Sequence, residues 1–416
     1  MFRHTHKFYA RETITIKPSH DKYEKVIIMK KPVILICLLL VSSVIIFSGC
    51  VSEYEVTEPP ENTPQPEETS TATVTPTAIQ TVDSIQLLSG PTSSWSSSVR
   101  IKEVSISDDG NYVGGVSTQK AIIKTPTRDL LTKLNWPNAQ FISVSSSGEY
   151  IGIADDDFVK LYNNNGEELH SYNTGGTINH IGVLDNGNLI QGGEKSPQLS
   201  AVGTKGNEIW KWEPGISTAK VLVFDYSTGG QNLLVGTQDD RVYYLNSEGK
   251  YEWYKDVSGE VEDVKISDDG EKLYVLTDDN KIHSFDKYAN KNWEKEIDIN
   301  TVEIEISKDG NYIVTKPYNA DDTFSFKNKV YLLDQNGNVK WMKQMGSDVG
   351  VIGISEEAEY VVISEDKDLR MYNLDGDDLA TYHLEGQYGM FFVCLDLTPD
   401  ASKMALGTTN SLLVFG

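Results

Sequence analysis

An all-β fold, an eight-bladed β-propeller, is what this sequence predicts, and three observations predict it. A ten-residue phrase, VSISDDGNYV at its first occurrence, recurs seven more times. The steps between successive starts are 38, 39, 42, 41, 40, 48 and 43 residues, close to the roughly 40 to 45 residues of one four-stranded blade. Each copy is followed by further short strand-like runs at fixed offsets.

The first two strands of a repeat come from the phrase itself. Its copies begin at 104, 142, 181, 223, 264, 304, 352 and 395, and VKISDDGEKL and IEISKDGNYI show the pattern most clearly. Apolar residues alternate (Val264, Ile266), a polar turn with Gly intervenes, and alternation resumes (Leu273, Val275). That is a hairpin, with turn residues that bond their own backbone and a Gly that accepts positive φ. RVYYLN, KVYLLD and LRMYNL then supply a third strand. A fourth opens after Gly and often carries Trp, as in GNEIWKW, GKYEWYK and GNVKWMK.

The last repeat stops one strand short at Gly416, and an orphan apolar stretch, SIQLLSGP from Ser84 to Pro91, precedes the first. Pairing this N-terminal strand with the final three closes the ring and removes both open edges. The count is eight blades; seven is the alternative if one divergent repeat is an insertion.

The third and fourth strands resemble the PQQ-like propeller repeat. VYYLNSEGKYEW and VYLLDQNGNVKW match its strand, turn, Gly and Trp, with Trp210, Trp253, Trp293 and Trp341 at the Trp position. Ala289 stands where Gly is expected, and His170 and Ala380 where Trp is expected. The first strands look equally like the S-x-D-G-x-Y phrase of WD40-like propellers. The resemblance covers about residues 82–416 and is specific for fold. Enzymes of the PQQ-dependent family add calcium ligands and commonly a vicinal Cys pair; this chain has no vicinal pair among Cys37, Cys50 and Cys394.

Ahead of the propeller, 83–416, three segments read differently. Residues 1–28 do not resemble a signal n-region and are expected to be a mis-called start, since MKKPVILICLLLVSSVIIFSGC from Met29 is a better one. Residues 29–49 form a lipoprotein-type signal peptide, with a basic start, a short apolar run and small residues before the cleavage point. Phe47-Ser48-Gly49-Cys50 resembles a lipobox, which implies Cys50 as the lipid attachment site; the alternative is an uncleaved N-terminal membrane anchor. Residues 50–82, rich in Pro, Thr and Glu, cannot bury enough surface to offset their ordering entropy and form an extended stalk.

The 416-residue chain carries 37 Lys and Arg against 61 Asp and Glu, a net charge of −24. Nucleic acid is excluded as a partner, because no basic stripe is available to displace phosphate counterions. The cysteines make no disulfide framework or thiolate cluster. Cys394, in FFVCLDL, reads as a small core residue. His170, His180, His283 and His383 lie at no zinc-ligand spacing, and neither G-x-S-x-G nor a Walker loop is present.

Asp-Asp-Gly in the opening phrase could suggest a calcium loop. In other copies its acids are replaced by Ser, Lys or Pro, whereas calcium loops need carboxylates at several fixed positions. Turn chemistry is therefore the better reading. A second acidic set, Asp155-Asp156-Asp157, Asp239-Asp240, Asp278-Asp279 and Glu365-Asp366-Lys367-Asp368, falls between strands two and three. Those turns share a face with the blade connections and should make one channel mouth negative. The Trp set is assigned to packing between blades.

The candidate binding site is the insertion in the repeat that starts at 304, TKPYNADDTFSFKNK from Thr315 to Lys329. Tyr318, Phe324 and Phe326 lie there beside Asp321 and Asp322, and aromatic loops on rigid scaffolds often bind partners. The expected function is a non-enzymatic binding or scaffold module without metal or cofactor, exported and anchored to the outer face of the cell membrane, with a protein or small-ligand partner on a propeller face. The alternatives are an exported quinoprotein-like oxidoreductase and an envelope-assembly scaffold, since the bacterial lipoprotein that assists outer-membrane barrel insertion also looks like an anchored eight-bladed PQQ-like propeller.

Overall fold

The computed structural model describes residues 88, 90–96, 100–125, 128–134, 136, 138–195, 198–215, 219–318, 328–355, 359–385 and 390–416. They form eight four-stranded antiparallel sheets. Blades 1 to 7 span 101–134, 141–173, 178–212, 221–256, 261–296, 301–344 and 349–383. Blade 8 combines Phe392–Leu397, Met404–Thr408 and Ser411–Phe415 with Ser93–Ser96. The chain thus has the eight blades that its repeats predict, and the seven-bladed alternative falls.

The strand that completes blade 8 is not the predicted one. Ser93–Ser96 pairs with Ser411–Phe415, Ser93 opposite Val414, and starts two residues after Pro91, where SIQLLSGP ends. From the predicted stretch, Leu88 instead packs with Leu413 and Phe415 in the last blade's core. An edge strand is held by its partner's backbone groups, so it needs no apolar alternation of its own.

Each blade is graded from centre to rim. The first strand of each repeat lies innermost, against the first strands of its two neighbours, and blade 8 meets blade 1 in the same way. Second strands such as Val113–Ser117 and Met404–Thr408 are buried throughout, as strands covered on both faces must be. Outer strands such as Tyr251–Asp256 and Lys291–Glu296 expose four of their six residues and fully bury none. A bulge recurs at the start of the inner strand, between Val221 and Val223, Val261 and Asp263, and Thr301 and Glu303. Such a bulge raises the local twist.

Trp and Gly lock adjacent blades. Trp253 Nε1 donates to Lys287 O (2.8 Å), Trp293 Nε1 to Gln335 O (2.7 Å) and Trp341 Nε1 to Leu374 O (3.1 Å), each in the next blade's outer turn. A Cβ on Gly249 would come within 2.5 Å of the Trp210 ring, so that turn needs Gly for space as well as for its φ of 72°. Ala289, where the repeat expects Gly, holds the same left-handed conformation at φ 68°. The Trp set is therefore packing, as expected.

Candidate functional site

The Asp-Gly turns at the hairpin ends consume their own acids. Ser267 Oγ donates to Asp269 Oδ1 (2.6 Å), which also accepts the Glu271 amide (3.0 Å), while Ser267 Oγ accepts the Lys272 amide (3.0 Å). Ser107 with Asp109, Ser307 with Asp309 and Thr398 with Asp400 repeat the arrangement. Partial burial opposes ionisation of Asp269, yet its hydrogen bonds hold it below the usual carboxylate range. Holding the turn is what these carboxylates do. No group of three or more His, Cys, Asp or Glu is placed to hold a metal ion among the described residues.

On the opposite face, the turns between second and third strands meet the blade connections, as Asp278 N donates to Glu260 O (2.9 Å) and Gln238 N to Lys220 O (2.9 Å). The acids there are largely closed onto neighbours. Asp239 accepts from Thr237 (2.6 Å) and Arg241 (2.9 Å), and Asp279 accepts from Thr277 (2.6 Å) and pairs with Lys281 (2.7 Å). Asp368 faces Arg370 (3.2 Å) and His383 (2.7 Å). The acids share a mouth as expected, but these carboxylates already have cations beside them.

Tyr318 follows the second strand of blade 6 on that face. Its amide donates to Asn300 O (2.7 Å) and its side chain is 51% exposed. Asp321, Asp322, Phe324 and Phe326 lie outside the described residues, as do Cys50 and the segments 1–28, 29–49 and 50–82 up to the start of the propeller.

What sequence reasoning missed is the polar lining of the central channel. Side chains of one inner strand accept backbone amides of the next. Asp396 takes Ile106 N (2.8 Å), Glu103 takes Ile142 N (2.7 Å), Asp225 takes Ile266 N (2.9 Å) and Asp263 takes Ile304 N (3.0 Å). Lys265 Nζ donates to Glu305 Oε1 (2.9 Å). Burial works against the Lys265 ammonium, but the Glu305, Asp263 and Asp225 carboxylates outweigh it and hold it charged. Burial pushes Glu103 up to about 8 and Asp263 to about 7, and pushes His180 down to about 4. Asp225, Tyr226, Lys265, Asp268, Glu305 and Lys308 line a cleft of about 170 Å³ where the channel opens among the hairpin turns. Lys308 pairs with Asp268 across it (3.1 Å). The charged letters alternating in FDY, VKI and IEI were the available signal.

This architecture defines a β-propeller repeat protein of the PQQ-like and WD40-like kind. The family model PQQ_2, described as outer membrane protein assembly factor BamB, matches residues 195–351, from blade 3 to the start of blade 7. No curated protein matches the chain. Among solved structures, the C-terminal WD40 domain of Sif2 is 12% identical, with a TM-score of 0.62 over 77% of this chain and 97% of that one. Sqt1 of Saccharomyces cerevisiae is 10% identical, with a TM-score of 0.61 over 78% and 98%. The β-propeller domain of Cps50 (Swd1) from Myceliophteria thermophila is 15% identical, with a TM-score of 0.53 over 66% and 95%. At these identities the likeness is one of fold.

Proposed function

We propose that this chain is a non-enzymatic scaffold of the cell envelope, tethered through Cys50 and an extended stalk, whose propeller holds a protein partner. The observation that carries the reading is the match of blades 3 to 6 to a family model described as an outer-membrane assembly factor. The contact is assigned to the face bearing Tyr318, where a half-exposed aromatic ring precedes the insertion with Asp321, Asp322, Phe324 and Phe326. A rigid ring with an irregular loop is a common way to present a binding surface. No catalytic role is assigned to the channel charges, which bridge neighbouring blades.

Metabolic lipid labelling and cofactor analysis test the reading together. The expected result is lipid on the wild type, none on Cys50→Ser, and purified protein without quinone or stoichiometric calcium. Label retained by Cys50→Ser contradicts the tether, and a bound quinone contradicts the scaffold role in favour of a quinoprotein-like oxidoreductase.

A further inference from the structure

The outer rim is not uniform around the ring. In blades 2 to 7, ten residues cover the outer strand and the turn before it. In 203–212, 247–256, 287–296 and 335–344 of blades 3 to 6 these segments hold nine lysines and six acids. The equivalent 164–173 and 374–383 of blades 2 and 7 hold five acids and no lysine. In a chain of net charge −24, these four segments together are net positive, although that of blade 4, with two lysines and three acids, is not on its own. Asp286 and Asp334, which flank two of the basic segments, spend oxygens on their own turn amides at Asn290 and Asn338. Four of the nine lysines stand beside carboxylates, Lys211 with Glu208, Lys250 with Glu248, Lys287 with Glu271 and Lys291 with Glu294, and these pairs lie at the surface, where solvent screens them.

Exposed apolar groups concentrate on the same arc. Ile209 (46%), Tyr251 (56%), Tyr254 (48%), Tyr288 (72%), Val339 (41%) and Met342 (45%) all lie in these four segments. On blade 4 the arc is aromatic in depth: Tyr243 packs against Tyr254 (ring centroids 5.5 Å apart) and, edge-on, against Trp212 of blade 3 (4.9 Å). Tyrosines interleaved with lysines suit the boundary between lipid headgroups and acyl chains, where the ring enters and the ammonium meets anionic headgroups.

We infer that the rim of blades 3 to 6 is a membrane-facing surface that lies against anionic phospholipid. The inference deepens the envelope reading, because a tether supplies the high local concentration that makes a weakly basic surface effective. Tyrosine and lysine do the work on blades 4 and 5, and Met342 with Lys340 and Lys343 on blade 6. Blades 2 and 7 point their acidic rims away.

Nitroxide labels on the full-length chain test this at four equivalent outer-strand positions. Tyr254, Met342, Ser171 and Thr381 are each replaced by Cys in a Cys37→Ala, Cys394→Ala background, with that background chain labelled alongside to subtract any signal from Cys50, and the protein is mixed with vesicles of phosphatidylcholine alone or with phosphatidylglycerol. The expected result is a rise in collisions with lipid-dissolved oxygen at 254 and 342, no rise at 171 and 381, and loss of the rise in high salt or without phosphatidylglycerol. Co-flotation with both vesicles but equal signals at all four positions overturns the rim surface and leaves the tether standing. Flotation only with phosphatidylglycerol vesicles supports the rim and removes the tether, and flotation with neither removes both. Labels at 254 and 342 that stay silent toward lipid but become shielded on adding membrane protein reject lipid in favour of a protein partner.

Discussion

Replacing Glu103 by Gln should stabilise the protein at alkaline pH. Glu103 sits on the inner strand of blade 1, where its Oε2 accepts the Ile142 amide (2.7 Å) of blade 2. Burial, with the Asp396 carboxylate adding repulsion, raises its pKa from 4.5 to about 8 although the Ile142 bond favours the anion. The folded state therefore holds the proton more tightly than the unfolded chain. Its contribution is most favourable below about pH 4.5 and is lost as pH rises toward 8. At about 1.36 kcal/mol per pH unit the cost at full ionisation approaches 4 to 5 kcal/mol, or about 2 to 3 kcal/mol once water reaching the channel is allowed for. Glutamine keeps a carbonyl for the Ile142 amide and removes the charge. Denaturant unfolding of wild type and variant at about pH 5 and pH 8 is the assay, with Glu103→Gln expected to be near neutral at the lower pH and more stable at the higher. Equal destabilisation at both would refute the argument, since it would mean that the carboxylate is a net asset whatever its charge.

Lys265→Met leaves Glu305, Asp263 and Asp225 facing one another without the ammonium that offsets them; a loss of about 3 kcal/mol or more is expected at neutral pH, shrinking in acid as the carboxylates take up protons, and a pH series of unfolding midpoints measures it. Ala289→Gly relieves a left-handed alanine at φ 68° and should add about 1 kcal/mol in the same assay. Deleting Ser93–Ser96 strips the strand paired with Ser411–Phe415 and should raise hydrogen exchange in blade 8 before blades 3 to 6.

The blades were legible because each is written nearly complete within one repeat. Alternation set the strands, and Gly110, Gly270 and Gly310, at φ 64°, 72° and 64°, marked the hairpins. The closing strand was misplaced because SSWS carries no pattern of its own; its position is decided by Val414 and Leu412 across the ladder. The channel was unreadable for a different reason. Lys265 and Glu305 are forty residues apart in sequence, and only the packing of neighbouring inner strands puts them 2.9 Å from each other. The Asp-Gly turns were legible as turn chemistry because their acids vary between copies, and Asp109 and Asp269 do bond local amides. Tyr318 was legible as the start of an insertion in the repeat, whereas the lysine-rich and apolar arc of blades 3 to 6 emerges only when outer strands are set side by side around the ring.

The scaffold reading is tested most directly by isolating the intact protein from its own membranes after mild cross-linking, beside a variant lacking residues 319–327. One stoichiometric membrane-protein partner recovered with the wild type and lost with the variant is the predicted result. Recovery of the same partner by both would move the contact off the Tyr318 face, and a wild type recovered alone would contradict the scaffold function.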